Sequence, residues 1–390
     1  MLPAQISHSS DLQKLWKEGL SLEIRDSHLL VHDIPYVNSK KEISYGTLVS
    51  TLDTSGDITI RPTTHVTYFI GEIPCHSDGR IINEILNSSN VINLSSKLRV
   101  NCTFSSKPKD GYSDYFDKMT TYIKMISAPA KSLDPDVTEA KFSVNIPKVS
   151  ESVFQYYDTN SSRAGIGLVT DKMKDLKVAI IGLGGTGSYI LDLVSKTPVG
   201  EIHLFDGDWM LQHNAFRSPG AMSKELLEQR LKKVTYYAGV YSNIHRGIVP
   251  HNLYIDSESI NLLDDFDYVF ISIDNGEAKK LIIEYLEKVK IPFIHAGMGI
   301  QLVDDSLIGI VAVTTSIDGK RDHAKNGRIN FTDNGNNEYS HNIQIADLNC
   351  LNAALAVQKW KKLVGFYQDL ESEYHSTFSI NVNQLLSEDH

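Results

Sequence analysis

The sequence predicts an α/β protein, a doubly wound and mainly parallel sheet preceded by a separate N-terminal α+β domain. Two observations carry this. From residue 170 the apolar runs KVAIIG, EIHLFD, DYVFIS and PFIHAG alternate with helical patterns, and short apolar strands alternating with helices signal a parallel sheet covered on both faces. Residues 20–105 instead read as successive strands separated by turn clusters, the rhythm of a sheet built without crossover helices.

At 390 residues the chain is long enough for two cores, and 41% hydrophobic with 22% charged residues is ordinary globular composition. The formal charge of −10 excludes the basic footprint that phosphate backbones and anionic lipid select. Neither nucleic acid nor membrane is expected as a partner. Cys75, Cys102 and Cys350 form no Cys-x-x-Cys pair, so no disulfide framework and no zinc are expected. The N-terminus has no cationic start followed by an apolar core. No run reaches the roughly 20 apolar residues of a spanning helix. The expected location is cytoplasmic.

Taken in order, the alternation at Leu22 and Ile24 and at Val66, Tyr68 and Ile70 predicts strands, with turns at Asp53–Gly56 and Ser77–Gly79. Tyr115, Met119, Tyr122 and Ile126 recur at helical spacing and predict a helix over 113–127, ended by Pro129. The proline-bearing stretch 128–150 reads as a linker, giving domains 1–150 and 151–390. Beyond it come the strand at Lys177, a helix from Gly187 to Lys196, the strand at Glu201 and a helix from Ser223 to about Tyr241. The strand ending at Ser272, a helix after Asn275 and the strand PFIHAG follow. From Gly299 a hairpin extends the sheet, residues 316–342 form a long polar loop, and 345–364 form a closing helix.

Gly182, Gly184, Gly185 and Gly187 fall where strand gives way to helix. There the absence of side chains lets backbone N–H groups and the helix dipole meet a phosphate. Asp206, about 20 residues on at the end of the next strand, suits ribose hydroxyls. A dinucleotide dehydrogenase fits these features equally well. Asn214 and Arg217 separate the two readings, because a triphosphate being split needs planar donors for its leaving pyrophosphate, and a nicotinamide enzyme has no evident use for the pair. Lys233 adds a point charge on the following helix, with Arg230 and Lys232 near enough to compete for that role. Asp274 ends an apolar strand at the sheet's carboxyl edge, where a magnesium ion can be held.

GLGGTGS, DGD, HNAFR and SIDN, in this order and spacing, resemble the bacterial ThiF/MoeB proteins and the adenylation domains of ubiquitin-activating E1 enzymes, over roughly residues 155–365. The resemblance implies a Rossmann-like fold and MgATP-dependent adenylation of the C-terminal carboxylate of a ubiquitin-like β-grasp protein, with release of pyrophosphate, by a homodimer or pseudodimer, the homodimer being expected here. It implies that Asp206 binds ribose and Asp208 of the DGD motif joins the nucleotide set. Asn214, Arg217 and Lys233 would then line the triphosphate, Asp274 would hold magnesium, and Arg163 would be lent to a partner's active site. It also implies that 316–342 is a crossover loop over the adenylate. Other readings are an inactive scaffold for a ubiquitin-like partner and an activator of another carboxylate, with a nicotinamide oxidoreductase last.

Residues 1–150, through IRDSHLLVHDIPYVN, THVTYFIGEIPC and FSSKPKDGYSDYFDKMTTYIKM, resemble the N-terminal domain fused to ThiF-like domains in bacterial operons that also encode ubiquitin-like and conjugating-type proteins. A conjugating-type protein is a further expected partner. His28, His32, Tyr36, His65, Tyr112 and Tyr115 are candidates for a partner surface, against a structural role. Cys75, at a turn beside His76, is a candidate acyl acceptor. Cys350 lies in a helical pattern that buries it as a small hydrophobe.

Overall fold

The computed structural model describes residues 4–141, 152–164, 166–331 and 343–390, without the side chains of 159, 162, 163 and 325. Residues 4–141 together with Tyr156–Ala164 form one compact unit, and 152–155 with 166–331 and 343–390 form the other. The division is therefore not a single cut near residue 150. Phe154 bridges to His245 and Arg246 N–H donates to Val153 O at 2.7 Å, which ties 152–155 into the second unit before the chain returns to the first.

In the first unit helix α1 (Ser10–Lys17) precedes a sheet of β1 (Ser21–Arg25), β2 (His28–Val37), β3 (Ile43–Thr51), β4 (Val66–Ile70), β5 (Leu86–Ser88) and β6 (Cys102–Ser105), in the order β1-β2-β3-β4-β6-β5. Every neighbouring pair is antiparallel. Helix α2 (Tyr115–Leu133) presents Tyr115, Met119, Tyr122 and Ile126, all fully buried, to a core that includes Leu29, Val31 and Phe69. Asp114 caps it, its carboxylate accepting the Asp117 N–H at 2.8 Å. Pro129 does not end this helix. The turn beyond it is held by burial of Ala130 and by the Lys131–Glu139 ion pair, tertiary contacts that outweigh the lost backbone bond.

The second unit contains β7 (Lys177–Ile181), α3 (Gly185–Val194), β8 (Glu201–Phe205), α4 (Gln212–Ala215), α5 (Lys224–Glu228), α6 (Lys233–Tyr241), β9 (Ile248–His251) and β10 (Tyr268–Ile271). Helix α7 (Gly276–Lys288), β11 (Phe293–Val303), β12 (Ser306–Ser316), α8 (Ala346–Leu363), β13 (His375–Ser379) and β14 (Gln384–Glu388) complete it. The sheet order is β9-β8-β7-β10-β11-β12-β13-β14, parallel through β11 and antiparallel beyond. Separate apolar cores cover its two faces, one including residues of α3, α6 and α8 and the other residues of α7. The predicted α/β class and doubly wound sheet are the observed ones.

Three elements differ from their sequence reading. PFIHAG and the first arm of the hairpin fuse into the single strand β11. The helix expected from Ser223 breaks at Arg230, whose φ of +48° is left-handed, and resumes at Lys233. The break lets Met210 N–H donate to Leu231 O and Lys233 N–H to Asp208 O, so tertiary pairing overrides helical continuity. Of the predicted loop 316–342, residues 317–331 carry a turn closed by an Ile317–Lys320 bridge and an ordered segment that buries Ala324 and Ile329. The rest, 332–342, lies outside the described residues.

His245 supplies a test of the second unit's electrostatics. It is fully buried, with Nε2 donating to Val199 O at 2.9 Å and Nδ1 accepting from Gly247 N–H at 3.0 Å, an arrangement that requires neutral imidazole. Burial pushes its pKa down to about 4. The unfolded chain takes up this proton near pH 6.5, so its stabilising contribution is complete above that value and is lost as pH falls towards 4. Urea unfolding at pH 7 and pH 4.5 is expected to reveal this loss, on the order of 2–3 kcal/mol. The pH dependence should shrink by a similar amount in His245→Gln.

Candidate functional site

The strand order reverses between β7 and β10, which is where open α/β sheets place a ligand crevice beyond their carboxyl ends. The glycine turn joins β7 to α3 at that point. Gly182 has φ +89°, and a Cβ there would meet Ser272 O at 2.8 Å. At Gly185 a Cβ would stand 2.0 Å from Asn349 Nδ2, and at Gly187 it would stand 1.9 Å from Gly182 O. These three glycines are demanded by the protein's own packing. Gly184 is different. It caps α3, with no atom within 4 Å of its would-be Cβ, so it leaves open the approach to the helix N-terminus.

Asp206, 6% exposed, fastens the turn to the end of β8. Its Oδ2 accepts the Leu183 N–H at 2.7 Å and its Oδ1 accepts the Asp208 N–H at 2.8 Å. Each oxygen retains a lone pair for a ligand hydroxyl. Lys233, also 6% exposed, places its ammonium 2.7 Å from Asp208 Oδ2 and 3.6 Å from Asp206 Oδ2. Burial raises the Asp208 pKa, but hydrogen bonds from Lys233 and Tyr254 with the Lys233 and Lys232 charges outweigh it and leave the carboxyl below its ordinary value. Tyr254 OH donates to Asp208 Oδ1, and its own pKa is pushed up to about 12, chiefly by that bond. The other cations near Lys233 are engaged differently. Lys232 donates to Gly207 O at 2.7 Å and lies 4.0 Å over the Trp209 ring, and Arg230 marks the helix break.

Asn214 and Arg217 carry the donors. Asn214 is 2% exposed, and its Oδ1 accepts the Leu211 N–H at 2.9 Å. Its Nδ2, like Arg217 Nε, is buried with no hydrogen-bond partner among the described residues. An orphaned buried donor costs about 1–3 kcal/mol, so two in one segment call for an acceptor. The sequence reading missed the residue that joins this segment to the turn. Asn349, fully buried on α8, accepts from Thr186 Oγ1 at 3.0 Å and donates to Arg217 O at 3.2 Å. Its signal in the sequence is a pair of asparagines, Asn349 and Asn352, in an otherwise apolar helical pattern. Asn349→Ala is expected to lower stability by about 1–3 kcal/mol, since it strands the Arg217 carbonyl. Thermal unfolding checks this.

Asp274 follows β10 at the carboxyl edge of the sheet and is exposed. Among the described residues no group of three or more His, Cys, Asp or Glu could hold a metal ion. A magnesium ion bound mainly by nucleotide phosphates needs only one or two protein carboxylates. Arg163 belongs to the short helix Thr159–Ala164, and its side chain lies outside the described residues.

Two cysteine expectations are corrected. Cys75 is 1% exposed, and burial, then the Glu72 and Asp78 charges, raise its thiol pKa. A buried thiol with a raised pKa is a poor acyl acceptor. Cys350 is exposed, because it lies on the face of α8 turned away from Leu348, Asn349 and Asn352. Of the N-terminal aromatic candidates, Tyr112 and Tyr115 are buried in the core and Tyr36 is 3% exposed, which gives them structural roles.

Residues 158–303 match the ThiF family, and residues 10–159 match a domain of unknown function, DUF6791. Residues 158–303 form a ThiF-family domain. The ThiF-family assignment agrees with the sequence resemblance. A tRNA threonylcarbamoyladenosine dehydratase of Haemophilus influenzae is 26% identical over 153 residues, covering 37% of this chain and 56% of the relative. An E1-like ubiquitin-activating enzyme of Saccharomyces cerevisiae is 24% identical over 129 residues, 32% of this chain and 20% of the relative. The chain thus spans about half the length of the dehydratases it matches. Among solved structures, Escherichia coli MccB with AMPCPP and MccA is 20% identical, at a TM-score of 0.47 over 71% of this chain and 82% of that one. Among the described residues no helix is long and apolar enough to cross a membrane.

Proposed function

We propose that the ThiF-family domain activates the C-terminal carboxylate of a ubiquitin-like protein by adenylation with ATP. The observation that carries the proposal is the pair of buried donors, Asn214 Nδ2 and Arg217 Nε, unpartnered among the described residues and tied through Asn349 to a glycine turn whose Gly184 faces open space. Such donors suit a triphosphate. The tail carboxylate attacks the α-phosphorus in line. One P–O bond forms to the tail, and the P–O bond to pyrophosphate breaks. No general base is required, because a carboxylate is already ionised.

Asp206 takes ribose hydroxyls on its free lone pairs, and the N-terminus of α3 receives phosphate at Gly184. Asn214 and Arg217 bind the departing pyrophosphate, where developing charge makes them worth more than in the ground state. Lys233 holds Asp206 and Asp208 in place and supplies positive charge beside them. A magnesium ion, held through Asp274 and the phosphates, would neutralise part of the same charge. A second copy of the chain would complete the enzyme. Arg163 would then serve the partner's site, and a conjugating-type protein would receive the product.

The test is exchange of labelled pyrophosphate into ATP, driven by a ubiquitin-like protein with a free C-terminal glycine. Exchange is expected with the free carboxylate and not with its amide. Binding of the protein without exchange would instead favour a scaffold. A second reading, activation of a carboxylate borne by tRNA, draws on the likeness to the dehydratases. The net charge of −10 opposes it.

A further inference from the structure

The first unit carries a concave site of its own, independent of the nucleotide crevice. A cavity of about 580 Å³ is lined by His32, Asp33, Tyr36, Tyr45, Glu72 and Asn101, among others. A bulge in β2 creates it. Pairing with β3 passes from Val31↔Leu48 to Ile34↔Gly46, so that two residues, His32 and Asp33, stand against one. Asp33 takes a left-handed φ of +59° there, a conformation that costs energy unless the surroundings impose it. Opposite, Gly71 at φ +152° turns the chain to Glu72, whose N–H donates to Tyr36 OH at 2.9 Å while Gly71 N–H donates to Asn101 Oδ1 at 3.1 Å. The backbone is therefore fixed on both sides of the cavity.

Its charge is unbalanced. Asp33 and Glu72 are exposed, and neither carboxylate has a hydrogen bond or ion pair among the described residues. His32 does not neutralise them, since its Nε2 meets Glu23 at 2.9 Å and its Nδ1 meets Thr47 Oγ1 at 3.1 Å. Tyr45 forms an aromatic wall, 47% exposed, and a cation already rests on it. The Lys141 ammonium lies 4.5 Å from the centre of that ring. Two unpaired carboxylates with an aromatic face are the elements of ammonium recognition, and Lys141 is the chain's own example of the cation that this wall accepts.

We propose that this cavity is a docking site for a lysine side chain of a partner polypeptide, held by Asp33, Glu72 and the Tyr45 ring. Lys141 competes for the same ring. The full-length protein titrated with Nα-acetyl-lysine-methylamide, observed by saturation-transfer NMR, is expected to bind it saturably. The neutral isostere Nα-acetyl-norleucine-methylamide is expected not to bind. Glu72→Gln should weaken binding and Lys141→Ala should strengthen it, each by about threefold, the scale of one exposed cation–π or charge contact. Asp33→Asn is the companion variant, since asparagine accepts the left-handed backbone. Thermal unfolding verifies that each variant is folded.

Equal binding of the norleucine compound, absence of saturation by the lysine compound, or unchanged affinity in both folded carboxylate variants would overturn the proposal. Preference for the arginine analogue over lysine would overturn the choice of a lysine side chain. None of these measurements uses ATP, so their outcome is separate from that of the adenylation test.

Discussion

Arg217→Ala is expected to reduce partner-dependent pyrophosphate exchange by roughly 10²–10³-fold, the usual effect of deleting one donor aimed at charge that develops in the transition state. The geometry sets the expectation. Arg217 Nε is buried without an acceptor among the described residues, while its backbone is held by Asn349 Nδ2 at 3.2 Å and by its own N–H on Asn214 O at 3.1 Å. Removing the side chain therefore leaves the segment anchored, and the melting temperature should change little. Arg217→Lys should recover only part of the rate, because an ammonium cannot reproduce the planar fork. A fall in melting temperature with an unchanged rate per folded molecule would identify Arg217 as a structural residue and remove the main support for pyrophosphate binding.

Gly187→Ala and Gly184→Ala should have opposite consequences although they lie three residues apart in one turn. A Cβ at Gly187 would be 1.9 Å from the Gly182 carbonyl and 2.5 Å from Ser272 Oγ, and the backbone carbonyl cannot swing aside. Overpacking of this severity costs about 3 kcal/mol or more, seen as a large drop in the unfolding midpoint. A Cβ at Gly184 meets nothing within 4 Å, and its φ of −72° suits alanine. That variant is expected to fold normally and to lack the thermal stabilisation that ATP is expected to give the native chain, because the methyl group would stand where the proposed phosphate site lies. Retention of that stabilisation in Gly184→Ala would place the nucleotide elsewhere.

Much of this was legible in local pattern. The strand–helix alternation located β7, β8, β10 and β11, and the spacing of Tyr115, Met119, Tyr122 and Ile126 picked out the buried face of α2. Each depends on a periodicity that one element expresses alone. Strand β9 was not found because Ile248–His251 carries Pro250, which argues against a central strand. It is tolerated because β9 is the edge of the sheet. The extension of α2 past Pro129 and the break at Arg230 were hidden for a related reason. Both are settled by partners far away in the chain, not by the residues themselves.

The sequence alone determined the α/β class, the glycine turn and the acid that follows it, because a strand-to-helix turn packed this closely restricts residue type at fixed spacing. Only the tertiary structure decided which glycine faces open space, that Cys75 is sealed while Cys350 is exposed, and that Asn349 couples α8 to the Arg217 segment. Exposure and orphaned hydrogen bonds are properties of what packs around a residue. No local pattern specifies them until the chain has closed on itself.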